Sequence, residues 1–321
     1  MADWSLYQCE KELAAEQQRI KNAKMSVASK RLLHEFDRAC LIAGLGMSRR
    51  KKLLSHMRVI ATELLEVPLD RADRASLQDV VARIESRTDW KLWTKSDYKV
   101  ALRRFYKWHV QQENWASDPE YPQLVKWIRS GLKRKDKCSV RAADLLTEEE
   151  VVRMIEVTRN PRNRAFIALL YELGARISEI GTMRVGDVSR DEHSFLIDLE
   201  GKTGKRLVRE VLFASHIVTW LNLHPRRADP RAPLWFPLQH EEDVDHLGYR
   251  TFNQIIREAA EAAGITKRIY PHLFRHSRST HVLATGKMNE AQAKSSSAGC
   301  RTAQCWRPMR TWSPMTRTMR S

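Results

Sequence analysis

No tyrosine follows Tyr270 in this 321-residue chain. From Ser295 to Ser321 there is also no Leu, Ile, Val, Phe, Asp, Glu or His. A stretch of that composition has no periodic apolar face, so residues 295–321 read as an aberrant, disordered tail. Cysteine is scarce: Cys9, Cys40, Cys138, Cys300 and Cys305 fit neither a disulfide framework nor a zinc site, which points to reduced thiols in a cytoplasmic protein. No apolar run approaches the ~20 residues of a membrane span. The opening Met-Ala-Asp-Trp continues polar, unlike a signal peptide. No internal repeat is present. Membrane proteins and disulfide-stapled scaffolds are thereby set aside.

What is abundant is positive charge. Lys and Arg number 56 against 39 Asp and Glu, a net of +17. Such a balance points first to nucleic acid, with solubility charge as the plainer reading. Six of the positives (Lys294, Arg301, Arg307, Arg310, Arg317 and Arg320) fall in a stretch without a carboxylate. The chain stays basic without them.

The length suits about two domains. Residues 1–24 read as a charged helical extension. Residues 25–132 are helical throughout, with apolar stripes at i, i+3, i+4 spacing. Leu32, Leu33, Phe36, Cys40 and Leu41 form one stripe, and Leu53, Leu54, Met57, Ile60, Ala61, Leu64 and Leu65 a second. Leu77, Val80, Val81 and Ile84 form a third, and Tyr98, Ala101, Leu102 and Phe105 a fourth. Trp90, Trp93, Trp108 and Trp115 are suited to stacking on bases, although packing in the core or at its rim is the commoner use. Residues 133–144 form a basic linker. In it Lys133, Arg134, Lys135 and Lys137 read either as a solvated tether or as a strap on the DNA backbone, where each cation adds salt-dependent affinity.

A second domain is expected over 145–294. Thr147 followed by Glu150 makes a capping box. Helices are expected over about 148–158, 162–173, 214–221, 249–263 and 272–284, with a short one near Arg176 beyond the break at Gly174. Residues 194–200 and 206–213 have strand character, and Gly201-Lys202-Thr203-Gly204 reads as the hairpin turn between them. The Pro-rich stretch from Pro225 to Pro237 reads as loop.

Three basic elements stand in this domain: Arg176 in Gly174-Ala175-Arg176-Ile177-Ser178-Glu179, Lys202 at the hairpin tip, and His272 with Arg275 in Tyr270-Pro271-His272-Leu273-Phe274-Arg275-His276. His272 and Arg275 are three apart, so one helical face can carry both. A guanidinium fixed beside an imidazole suits a phosphate whose charge grows during reaction. Taken singly each element has an ordinary explanation: an i,i+3 surface pair, a solvated turn lysine, a satisfied histidine. Two rival motifs fail on their spacing. Gly201-Lys202-Thr203 ends like a phosphate-binding loop, but the required earlier glycine is Leu196. His272 and His276 are spaced like a zinc helix, but the glutamate needed beside the first histidine is Leu273.

Together and in this order, the Gly-x-Arg-x-Ser-Glu box, the hairpin lysine and the His-x-x-Arg-His box resemble the tyrosine recombinase, or phage integrase, family. The resemblance runs to about Lys294, and Met288-Asn289-Glu290-Ala291-Gln292 is similar to archaeal members. It implies a mainly α fold with a small antiparallel sheet: a helical, SAM-like core-binding domain followed by a mixed α/β DNA breaking-rejoining catalytic domain. It further implies a site-specific DNA recombinase that acts on double-stranded DNA through a phosphotyrosyl intermediate, for integration and recombination of mobile DNA. In an intact member a homo-tetramer on DNA is implied, with no metal or other cofactor. Arg176 and Arg275 would clamp the scissile phosphate, Lys202 would protonate the leaving 5′-oxygen and His272 would hydrogen-bond the phosphate. Glu179 would orient its neighbours.

The family's last two elements, a Gly followed by His or Trp and then the nucleophilic Tyr, are not legible. Codon arithmetic supplies a reason. Read from each codon's third base, suitable synonymous codons for Lys294 to Ser321 give Val-Val-Phe-Gly-Trp-Val-Gln-Asp-Ser-Ala-Met-Leu-Ala-Thr-Tyr-Ala-His-Leu and a mixed-charge continuation. Gly-Trp and Thr-Tyr then stand at the family's spacing, which points to a frameshift near Ala293–Ser297. The alternative function is accordingly a catalytically inactive DNA-binding remnant without its tyrosine.

Overall fold

The computed structural model describes residues 8–131, 141–190, 195–201, 204–210, 213–237 and 246–284. Lys133, Arg134, Lys135, Lys137, Lys202 and the segment 295–321 lie outside the described residues. The chain divides into two compact units, Tyr7–Ser139 and a second from Val140 onward.

The first unit is helical: α1 (Cys9–Asn22), α2 (Val27–Ile42), α3 (Met47–Val59), α4 (Arg74–Ser86), α5 (Leu92–Gln111) and a one-turn α6 (Gln123–Lys126). Local chemistry sets the helix starts. Ser26 and Asp73 accept from the amides of Ser29 (3.0 Å) and Ser76 (2.8 Å), N-caps for α2 and α4. α3 runs without a break into a single π turn, Ile60–Leu64. Most of each stripe read from the sequence is buried: Leu33, Phe36, Leu54, Met57, Val80, Ile84, Leu102 and Phe105 are all at most 1% exposed, whereas Leu41, at the end of α2, is 56% exposed and does not belong to the buried face. α1, read as an extension, packs on α3 and adds Leu13 and Ile20 to the same core. Trp108 and Trp115 are buried against Phe36, whereas Trp90 stacks on Tyr98 and Trp93 is half exposed.

Two buried carboxylates tie these helices. Glu16 of α1 accepts from Arg19 at 2.7 Å and from Arg58 of α3 at 2.8 Å. Asp37 of α2 accepts two parallel bonds from Arg50 of α3, both 2.8 Å, and a third from Gln17 of α1 at 2.7 Å. Burying a charge is costly, and three donors offset that cost here.

The second unit contains α7 (Glu148–Val157), α8 (Pro161–Glu172), α9 (Ile177–Gly181), α10 (Ala214–Leu223), α11 (Tyr249–Ala262) and α12 (Pro271–Ala284). Strands β1 (Val188–Arg190), β2 (Phe195–Gly201) and β3 (Gly204–Glu210) form an antiparallel sheet in that order. β1 was not expected from the sequence; only three residues long, it lacks the alternation that marks a strand. The capping box at Thr147 is present, with Glu150 returning a bond to the Thr147 amide. α8 is apolar all round from Ala165 to Tyr171 and is buried accordingly. In the β2–β3 hairpin Gly201 pairs with Gly204.

The proline-rich segment is irregular, as expected, yet it supplies core. Leu234, Trp235 and Phe236 are at most 2% exposed. The Trp235 indole donates to the Ile180 carbonyl at 2.7 Å, and the Trp220 indole donates to that of Leu234 at 2.9 Å.

The three-donor arrangement around Asp37 carries a stability prediction. Asp37→Ala leaves Arg50 buried and unpaired, and lowers the unfolding free energy by about 3–5 kcal/mol. Urea titration read by tryptophan fluorescence, with Trp108 and Trp115 as nearby reporters, checks this; a loss below ~1 kcal/mol refutes it.

Candidate functional site: a phosphate-binding cluster

Two segments carry Arg176, His272 and Arg275. α8 ends at Glu172, and Gly174 turns the chain with a positive φ of 51°, a conformation that costs glycine least. Two residues on, Arg176 is the N-cap of α9. α9 is short but is capped by its own third residue, because Glu179 accepts from the Arg176 amide at 3.0 Å and from its Nη1 at 2.6 Å.

α12 delivers the second pair. Pro271 opens it, a first-turn position where the missing N–H costs nothing. Arg275, one turn in, is 4% exposed and donates from Nη1 to the Gly174 carbonyl at 2.8 Å. That bond ties the His-x-x-Arg helix to the loop that carries Arg176. Ser277 anchors the other side, its Oγ accepting from the Leu146 amide at 2.9 Å.

His272 lies on the exposed side of α12, in the field of His276, Arg275, Arg176 and Glu179. Its pKa is held below the usual histidine range, by partial burial first and by His276, Arg275 and Arg176 next; Glu179 pulls the other way. Glu179, whose side chain is 1% exposed, has the reverse balance. Burial alone would raise its carboxyl, but the bonds from Arg206 and from the Arg176 amide and the guanidinium charges outweigh it and hold it low.

Arg176 and Arg275 thus lie on adjoining segments, and His272 lies in their field. Sequence reasoning missed Arg206 of β3, which donates from Nη2 to the second Glu179 oxygen at 2.7 Å. It also missed Gly201, where any Cβ would overlap Glu179 Oε1. The cluster gathers two guanidiniums about one carboxylate, with Arg275 bonded to the Gly174 carbonyl and the His272 imidazole in the same field. It is built to attract an anion, and planar forked donors suit the oxygens of a phosphate. Among the described residues no group of His, Cys, Asp and Glu is placed to hold a metal ion, and no helix is long and apolar enough to cross a membrane.

The field around His272 fixes the sign of a pH effect. In the folded chain the ring is neutral at pH 7. As pH falls below the unfolded value of about 6.5, the unfolded chain takes up its proton first, so the stability this group contributes is lost toward acid. A bound phosphate anion favours the imidazolium and moves the folded pKa up. An NMR titration of the ring is expected to give a midpoint below ~6.5 in the free chain and a higher one with duplex DNA; the opposite order refutes the placement.

Residues 144–293 match the phage integrase family. The tyrosine recombinase XerD of Bifidobacterium longum is 31% identical over 231 residues, covering 68% of this chain and 71% of XerD. The tyrosine recombinase XerA of Pyrococcus furiosus is 34% identical over 143 residues, 44% of this chain, so the chain spans about half (48%) of that relative's length. The fold is similar to that of the XerH site-specific recombinase in a post-cleavage complex with a palindromic difH substrate (TM-score 0.63, 16% identity, covering 93% of this chain and 92% of that one). It is likewise similar to lambda integrase in a tetramer bound to a Holliday junction (TM-score 0.65, 15% identity, covering 92% and 82%). With the family match beginning at the capping box and running past both arginine boxes, this chain belongs to the phage integrase family, the tyrosine recombinases.

Proposed function

We propose that the chain descends from, and is built as, a site-specific DNA recombinase that grips one backbone phosphodiester of double-stranded DNA. The observation that carries this reading is the bond from Arg275 to the turn that precedes Arg176, with His272 in the field of both. The net charge of +17 and the DNA complexes formed by the structural relatives support it. In this reading Arg176 and Arg275 bind the non-bridging oxygens and stabilise the charge that builds in the pentacoordinate transition state. His272, neutral at rest, hydrogen-bonds the same phosphate. Lys202 protonates the departing 5′-oxygen. A tyrosine oxygen attacks phosphorus and leaves a 3′-phosphotyrosyl bond. That bond keeps the energy of the phosphodiester, so a second strand's 5′-hydroxyl can reverse the step without an external energy source. Lys133, Arg134, Lys135 and Lys137 add backbone contacts from the linker. Assembly as a homo-tetramer on DNA and a cytoplasmic location belong to the same reading.

A second reading has its own observation. The family match stops at residue 293, where the composition changes, and no tyrosine follows Tyr270. Tyr270 is a poor substitute. Partial burial raises its phenol above the usual range against the opposing pull of Arg268, and the residue directly precedes the first turn of α12. This polypeptide would then bind DNA at the phosphate site without cleaving it.

A duplex carrying a nick beside the scissile position separates the two. Covalent protein–DNA adducts formed by this chain establish it as an active recombinase and refute the frameshift. A mobility shift without adducts is the outcome expected. Translation in the shifted frame from about Ala293 is expected to restore adducts, and Arg275→Ala in that background to lower their rate by about 10²–10³ or more.

A further inference from the structure

Arg206 occupies a place where an arginine is expensive. In the register of the hairpin it pairs with Leu199, and Val208 pairs with Ile197; Leu199 and Ile197 are fully buried. Cross-strand partners share a face, so Arg206 points to the buried side of the sheet while its neighbour Leu207 is 62% exposed. Its side chain is 13% exposed. Nη2 reaches Glu179, but Nε and Nη1 are shielded from solvent and have no hydrogen-bond partner among the described residues. Buried donors left unmet cost free energy, and a leucine would follow the strand's alternation without that cost. The fold alone therefore does not account for an arginine here.

The division of Glu179 does. Oε1 takes Arg176 Nη1, and Oε2 takes Arg206 Nη2 and the Arg176 amide. A carboxylate facing a single guanidinium closes into a two-bond fork and cancels its charge. With Arg206 present, the trio of Arg176, Glu179 and Arg206 keeps one net positive charge. With Arg206 removed, the remaining pair is neutral. Gly201 adds to the arrangement, because only a residue without Cβ lets the Glu179 carboxylate lie against the end of β2.

We propose that Arg206 is a positioning residue: by holding Oε2 of Glu179 it keeps the carboxylate from pairing with the Arg176 guanidinium through both oxygens, and so leaves the trio one net positive charge toward the DNA phosphate. The proposal rests on the phosphate-gripping reading above. It assigns to β3 a role separate from that of the lysine at the hairpin tip. It also makes Glu179 an antagonist that Arg206 restrains.

The test uses the full chain and a fluorescein-labelled duplex, with binding constants measured from about 0.1 to 0.4 M KCl. Each phosphate contact contributes about −0.9 to the slope of log K against log salt. Arg176→Ala and Arg206→Met are each expected to flatten the slope by about one contact, with a five- to tenfold loss of affinity near ~0.1 M salt. Arg206→Met combined with Glu179→Gln is expected to regain the wild-type slope, because the carboxylate that would capture Arg176 is gone. Arg206→Lys, which keeps the charge, is expected to retain it. If the double variant binds as weakly as Arg206→Met, or more weakly, Arg206 touches the phosphate itself or serves only the fold, and the proposal fails. Should Arg206→Met lose its cooperative thermal melt, Arg206→Lys carries the test, and a flattened slope there overturns the proposal. If the wild-type chain shows no salt-dependent binding, or Arg176→Ala binds like wild type, the phosphate site itself falls. If Arg176→Ala weakens binding and Arg206→Met does not, only the role of Arg206 falls.

Discussion

A single buried carboxylate organises the second unit. Glu179 caps the short helix α9 through the Arg176 amide, takes the Arg176 guanidinium on one oxygen and shares the other with Arg206 of β3. It is nearly inaccessible to water, and it stays ionised because cations and an amide surround it. Helix, turn and sheet thus meet at one charge. The same charge is the counterweight against which the cluster's cations are held, so binding strength and local structure cannot be tuned separately here.

The second arginine box is held differently. Arg275 donates its Nη1 to the Gly174 carbonyl, which accepts the bond without neutralising the guanidinium. Gly174 therefore acts through its backbone in two ways. Its positive φ aims the chain from α8 into α9, and its carbonyl sets the distance between the two arginine boxes. A residue with a side chain at this position would be strained by the φ and would meet Arg278, whose Cγ lies 3.4 Å from where a Cβ would stand. The glycine that merely breaks a helix in the sequence is the hinge of the site.

Much of this was legible before any coordinates, wherever the signal was local. Helical stripes such as Leu53, Leu54 and Met57 appear at their period, and the Thr147 box and the Gly201–Gly204 turn are short-range patterns. The signature residues Arg176, His272 and Arg275 were legible from their order along the chain. What escaped was contact between distant segments. Asp37 and Arg50 are thirteen residues apart and on different helices, so no spacing rule pairs them. Arg206 opens a stretch of strand character in the sequence, and only the register opposite Leu199 turns it inward. Leu234, Trp235 and Phe236 sit among prolines and turns, which masks an irregular segment that is core. The exposure of Leu207 beside Arg206, a reversal of the alternation a half-buried strand should show, is seen only in the fold.

The closing contacts of α12 have a structural consequence. Ser277 takes the amide of Leu146, and Lys267 pairs with Glu150 at 2.6 Å, so the late helix is sewn to the opening residues of the same unit before residue 284 is reached. On the proposed reading, the residues that hold the phosphate are anchored by contacts made upstream of residue 284, so changes in the chain beyond it would leave those anchors in place.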